Sequence, residues 1–312
     1  MIRKKQSKHI ITDFVAYTNK AENKFSSWIY HYCSPNIVEH ILQEDKVSLR
    51  FTRSDSMNDT SEGNQANLLF QTSVRHAFED GYITEEYKDF LVDVEQNAYA
   101  YYNENLAGDI FRGIYFQFCY GYKYYLCCFS YDWDSIPLWN YYVKEKSYQG
   151  FNIGFDSNKI EKAKIRKDKY EIWVSTVVYT DFFENCSSLI KKYSTYFAMS
   201  NNLEKAALAY MLACYLERYR LVVKNQCFMH ENEIRAILRI NQSDNLKEEY
   251  DWSHGFPRPF ITIDFSKAAF RSITVGPLLE KDISKIQTEE FLESRGYRSN
   301  GMVRNSKAPI RF

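Results

Sequence analysis

The stretch Glu231-Asn232-Glu233-Ile234-Arg235 spaces two carboxylates and a guanidinium at every second residue. On a strand, alternation puts all three on one face, while Ile234 and Ile237 help fill the core. Such a row is either a surface ladder, with Arg235 weakly stabilised beside Glu233, or a catalytic edge. A second unusual set is Trp28-Ile29-Tyr30-His31-Tyr32, where a histidine stands between two tyrosines near the end of a strand-like run. Alternation predicts a half-buried strand with Tyr30 and Tyr32 on one face and His31 on the other. His31 is then a structural histidine or a ligand contact. Some 25 residues on, Asn58-Asp59-Thr60-Ser61-Glu62 forms a polar group suited to a turn through its side-chain hydrogen bonds, or to the rim of a site.

The third set lies in residues 127–156. A strand ends at Ser130, a loop passes Pro137, and a short helix carries Leu138, Trp139, Tyr141 and Tyr142. Gly150 then opens the next strand. Trp139 and Tyr142 are three residues apart on that helix, so they serve either its core or a pocket.

Several common sites are excluded. Neither GxxxxGK[ST] nor GxGxxG occurs, which removes the usual phosphate cradles. His230-Glu231 begins like a zinc-protease motif, but Ile234 stands where the second histidine is required. The six histidines are dispersed, no cysteines have ligand spacing, and no GxSxG elbow is present. No dedicated metal site is expected.

The elements that must position these sets follow from periodicity. Strands are predicted at about 27–33, 47–51, 125–130, 150–156, 173–179, 233–240, 260–265 and 272–275. Ser34 and Pro35 start a helix over Asn36–Gln43. Two longer helical blocks are expected, at about 68–118 and 181–220. In the first, Phe78, Tyr82, Phe90, Leu91, Val94, Ala98, Tyr101 and Tyr102 recur at threes and fours. Strands interrupted by two helical insertions predict an α+β fold with a mixed or antiparallel sheet in one domain, 1–312. Residues 1–25 read as a polar lead-in. The stretch 295–312, with Arg295, Arg298, Arg304, Lys307 and Arg311 and no acid, reads as a basic tail, solvated or set against phosphate.

With 40 basic and 40 acidic side chains in 312 residues, no global field draws the chain to nucleic acid or anionic membrane. The 26 Tyr and 22 Phe against 11 Gly and 6 Pro exclude a disordered chain and offer many flat surfaces for packing or stacking. Seven scattered cysteines, a start with no apolar run after its basic residues, and the lack of any stretch near ~20 apolar residues predict a reduced cytoplasmic protein without membrane spans.

Taken in order, these blocks resemble a bacterial domain family of unknown function found in phage-resistance (abortive-infection) settings. That family carries a Tyr-Lys-Tyr strand, Phe-Asn-Asp-Pro-Phe-Glu, Cys-Phe-Ser, Leu-Trp-x-x-Tyr-Ala, Gly-x-x-Ile-x-Phe and Glu-x-Glu-x-Arg. Here they read Tyr30-His31-Tyr32, Met57-Asn58-Asp59-Thr60-Ser61-Glu62, Cys128-Phe129-Ser130, Leu138 to Val143, Gly150 to Phe155 and Glu231 to Arg235. Thr60 and Ser61 depart from the family's Pro and Phe, which alters the turn. The layout is also similar to the ADP-ribosyltransferase fold.

The resemblance implies NAD as substrate, with His31, Tyr142 and Glu233 at its nicotinamide end and Glu231 orienting an acceptor. It implies further contacts from Tyr30, Asn58, Ser130, Trp139 and Arg235, with Asn58 and Arg235 on pyrophosphate or fixing the carboxylates. It also implies a toxin-type effector of antiviral defence that transfers ADP-ribose to a protein or nucleic-acid acceptor or only hydrolyses NAD, with an antitoxin or defence-system partner. The alternatives are a non-catalytic module that senses a nucleotide or phage component, and an assembly partner with an aromatic interface.

Overall fold

A computed structural model describes residues 27–57, 64–97, 122–143, 149–161, 170–179, 181–241, 246–253 and 255–310. The lead-in, the Asn58–Glu62 turn, and Ala98, Tyr101 and Tyr102 of the first helical block lie outside them. The contacts divide the chain into two compact units. One falls within Phe25–Met57, Lys123–Val177 and Cys227–Phe312 and carries the strands. The other takes its described part from Asn58–Tyr122 and Val178–Gln226, so the two helical insertions together supply a unit of their own.

The strand unit is built on β1 (Trp28–Cys33), β2 (Val47–Arg53), β3 (Tyr122–Ser130), β4 (Phe151–Asp156), β5 (Tyr170–Thr176) and β6 (Glu233–Asn241). Four more strands complete it: β7 (Glu249–Asp251), β8 (Arg258–Phe265), β9 (Phe270–Val275) and β10 (Val303–Asn305). They form one ten-stranded sheet in the order β10-β9-β4-β1-β3-β2-β8-β7, with β6 joined to β3 and β5 to β6. β10 runs parallel to β9, and β1–β3, β1–β4, β2–β3, β2–β8, β4–β9, β5–β6 and β7–β8 are antiparallel. The fold is α+β with a mixed, mostly antiparallel sheet.

β1 forms because aromatic and β-branched side chains suit a pleated surface. Ile29 and Cys33 enter the main core with Ile153, Phe155, Ile273 and Phe129. The opposite face is not solvated as the half-buried reading expects. Tyr30 and Tyr32 are buried there, and Tyr32 packs with Leu138, Trp139 and Val143. The cover is α4 (Ile136–Tyr142). Ser34 and Pro35 do start a helix, α1 (Pro35–Ile41), which ends two residues short of the expected Gln43.

β3 meets three strands, more than its two edges can hold along the same residues. They therefore divide its length. β1 meets it at one register pair, Tyr30↔Ser130, and β2 at two, Thr52↔Leu126 and Arg53↔Tyr125. The sheet thus has a joint at the end of β3, and several of the residues singled out in the sequence gather at that joint.

In the helical unit, α2 (Asn64–Glu79) and α3 (Glu85–Gln96) replace the start of the expected continuous block. The break is local chemistry: Gly81 adopts φ +73 and the Thr84 side chain caps Tyr87 N. The block at 181–220 likewise divides into α6 (Asp181–Met199) and α7 (Asn202–Arg220), after the short α5 (Ser157–Glu161) of the strand unit. Asn201 and Glu204 form a reciprocal capping box at the division. Aromatic pairs such as Tyr87–Phe197 and Phe182–Tyr219, 4.7 and 4.8 Å between centroids, absorb much of the chain's aromatic excess.

Beyond residue 275 the sequence reading missed two elements. Glu280 caps α8 (Lys281–Ser294), and Gly296 at φ +67 follows its end. β10 then joins the sheet. The stretch 295–310 is therefore not a solvated tail: Arg295 is ion-paired with Glu39, and Ser306 N donates to Val275 O at 2.9 Å.

Gly150 shows how closely this framework is fitted. A Cβ there would lie 2.6 Å from the Cys33 carbonyl oxygen and 2.6 Å from Val143 Cγ1. Gly150→Ala is expected to cost about 1–3 kcal/mol in urea unfolding, because backbone stands in the way and cannot yield like a flexible side chain.

Candidate functional site

Three chain segments meet at the joint. The first is the middle of β1 and the second is the end of β3 with the loop that follows. The third is a short 3-10 turn, Gln226–Glu231, that leads into β6. The Ser130 hydroxyl donates to Glu231 O at 2.7 Å and accepts from Asp132 N at 3.0 Å. Tyr131 N donates to Asn232 O at 3.0 Å. These bonds staple the turn to the end of β3.

Asn232 sits at φ +45, the left-handed region that asparagine tolerates better than most residues. The expectation that Glu231, Glu233 and Arg235 share one strand face is corrected here. β6 begins only at Glu233, and Glu231 belongs to the turn before it.

The surface-ladder alternative is also set aside. Glu231, Glu233 and Arg235 are 6%, 4% and 1% exposed. Arg235 Nε donates to Glu233 Oε1 at 2.9 Å and Nη2 to Oε2 at 3.1 Å. This two-point pairing is the geometry in which a planar guanidinium holds a carboxylate most firmly. Burying one of these charges alone would cost several kcal/mol, so each is tolerated because the other is there.

Around the joint lies a pocket of about 70 Å3. His31, Tyr142, Glu231 and Glu233 line it, with Tyr30 and Ser130. These come from four parts of the sequence. Tyr32, Cys128, Phe129 and Leu138, which the sequence reading did not select for a site, complete the wall. Tyr32 was legible as the neighbour of Tyr30 on one face, and Leu138 as the residue one helical turn before Tyr142.

The remaining selected residues lie elsewhere. Arg235 stands behind Glu233, fully buried and off the pocket wall. Trp139 is 0% exposed, edge-on to Tyr32 at 4.8 Å, and its indole N–H donates to Asp134 Oδ1 at 2.8 Å. It anchors α4 to the sheet. Asn58 lies outside the described residues.

The pocket's protonation states follow from burial. His31 Nδ1 is 2.8 Å from the Cys128 carbonyl oxygen. A carbonyl only accepts, so Nδ1 carries the hydrogen and the neutral ring keeps Nε2 as an acceptor. Burial lowers the imidazole pKa below 6.5, against a smaller raising effect of that hydrogen bond. Tyr142 OH donates to Glu231 Oε1 at 2.9 Å. Burial, then the charges of Glu231 and Glu233, raises its pKa far above the usual phenol value, so it remains a protonated donor. Burial also pushes the Cys127 thiol up to about 12. No disulfide joins any of the six described cysteines.

Among the described residues no group of three His, Cys, Asp or Glu side chains is placed to hold a metal ion. Among them, too, no helix is long and apolar enough to cross a membrane. Comparison with protein-family models, with curated proteins and with solved structures finds no match to the chain.

Two measurements test this account. Arg235→Met should lower stability by about 3–5 kcal/mol in chemical denaturation, because Glu233 is left charged and unpaired, and adding Glu233→Leu should restore most of the loss. His31 resists protonation when folded but takes a proton at its ordinary pKa of 6.5 when unfolded. Its contribution to stability is therefore intact above that pH and falls as pH drops below it. The thermal midpoint of the wild type should decline between about pH 7 and pH 5.5 more steeply than that of His31→Gln.

Proposed function

We propose that the protein is an NAD-consuming enzyme of ADP-ribosyltransferase type, transferring ADP-ribose to a protein or nucleic-acid acceptor. The observation that carries this reading is the gathering of His31, Tyr142, Glu231 and Glu233 around one small pocket at a joint of the sheet. Breaking the nicotinamide–ribose bond sends the bonding electron pair to the ring nitrogen and leaves positive charge on the ribose. Glu233, held still by Arg235, is the carboxylate suited to meet that charge and hold a ribose hydroxyl. A fixed charge in a site from which water is largely excluded acts more strongly than one in solvent.

Tyr142 would lie against the nicotinamide ring, and neutral His31 would accept a hydrogen bond from the ligand through Nε2. Glu231 would orient the acceptor and take its proton as its oxygen bonds to the ribose carbon. The ADP-ribosyltransferase-like fold, the abortive-infection setting, an antitoxin partner and a cytoplasmic location belong to the same proposal.

The Glu233–Arg235 pairing also supports a second reading. A carboxylate with both oxygens engaged by a guanidinium is well suited to a structural part, and the pocket then serves a binding module that senses a nucleotide. The two readings separate on one substitution. Glu233→Gln should lower nicotinamide release from NAD by about 10²–10³-fold if the carboxylate meets developing charge. Release is followed with purified protein, with and without RNA, DNA and lysate protein. No release from folded wild type under any of these conditions would leave the binding-module reading in its place.

A further inference from the structure

A pocket of about 70 Å3 is small beside the ~300–1,000 Å3 that encloses a whole small-molecule ligand. On the nucleotide reading it has room for only one end of a dinucleotide, and the phosphates must lie outside it. Arg235, the basic residue the sequence offered for them, is spent on Glu233. The structure places another cation nearby.

Pairings across β1, β4, β9 and β10 align Tyr32, Asn152, Thr274 and Arg304 in one row, with Tyr30, Gly154 and Ser272 in the next. Residues paired across neighbouring strands share a face, so Arg304 stands on the same side of the sheet as Tyr30. Its Nε donates to Thr274 Oγ1 at 2.9 Å. The guanidinium carbon lies 4.1 Å over the Trp133 ring and 5.6 Å over the Tyr30 ring.

Nη2 of Arg304 is buried with no hydrogen-bond partner, and among the described residues no carboxylate pairs with this guanidinium. A partly desolvated cation without a countercharge is costly, and an anion relieves that cost. Lys307 also stands over Trp133, its Nζ 5.9 Å from the ring centroid. The arm between them is fixed. Asp134 accepts from Ser306 Oγ at 2.5 Å, Lys307 N at 2.6 Å and Trp139 Nε1 at 2.8 Å. Asp134 is thus engaged by three donors, none of them the Arg304 guanidinium.

We propose that Arg304 and Lys307, set against Trp133 beside Tyr30, form the diphosphate subsite of the nucleotide whose other end enters the pocket. The inference rests on the nucleotide reading above. Tyr30 links the two places, since it lines the pocket and carries Arg304 over its ring. A planar guanidinium held on an aromatic face offers its remaining N–H groups to phosphate oxygens at little cost in order.

The test is calorimetric titration of the full chain with two probes: ADP-ribose, which carries the diphosphate, and nicotinamide riboside, which carries none. Arg304→Gln should weaken ADP-ribose by about tenfold or more, the value of one charge-assisted contact, and leave nicotinamide riboside within about twofold. Lys307→Ala, at an exposed position, should weaken ADP-ribose about threefold, and it decides the matter if Arg304→Gln does not fold. Equal ADP-ribose affinity in the variants and the wild type overturns the subsite while leaving the nucleotide reading standing. If neither probe binds the wild type, both are overturned.

Discussion

The ion pair between Glu233 and Arg235 is the constraint on which the joint of the sheet depends. Two charges can leave water in this way only if each satisfies the other in good geometry. The two-point contact meets that condition, and both partners lie at the start of β6. The pair therefore fixes where the strand begins, and so where the chain must turn at Asn232. It also fixes where Glu231 is delivered, against the Tyr142 hydroxyl. Ser130 and Tyr131 complete the arrangement from β3 by bonding the carbonyls of Glu231 and Asn232.

The result is a pocket lined by two neutral groups, the His31 imidazole and the Tyr142 phenol, and by two carboxylates, Glu231 bonded to that phenol and Glu233 to a guanidinium. Little reorganisation is needed for such a set to respond to charge appearing on a ligand, since the dipoles already point where they must. The same rigidity explains why Trp139, attractive as a stacking platform, serves as an anchor. Its burial between Tyr32 and Asp134 holds α4, and α4 holds Tyr142.

Much of the framework was legible in the sequence. Alternation and β-branching marked β1, β4, β6 and β8 to within a few residues; β4, β6 and β8 each bury one complete face, and β1 buries most of both. The Asn201–Glu204 capping box and Thr84 were visible as helix starts but were overlooked inside longer periodic runs. The joint itself was not legible. Which strands share β3, and that β6 joins it, depends on contacts between distant segments that local pattern does not encode. The burial of Arg235 also escaped, since Glu-x-Glu-x-Arg reads the same on a surface as in a core. Arg304 was hidden by composition: a run of basic residues without acids looks solvated, and only the pairing of β10 with β9 gives that arginine its place.

That pairing has a consequence for how the chain is made. β10 is three residues long, yet among the described strands it alone pairs with the outer edge of β9, beside bonds such as Ile273 N to Met302 O at 2.9 Å. Ribosomes produce it roughly thirty residues after β9, which at ~5–20 residues per second leaves that edge bare for seconds. An uncovered strand bearing Ile273 and Val275 is a template for pairing with another nascent chain.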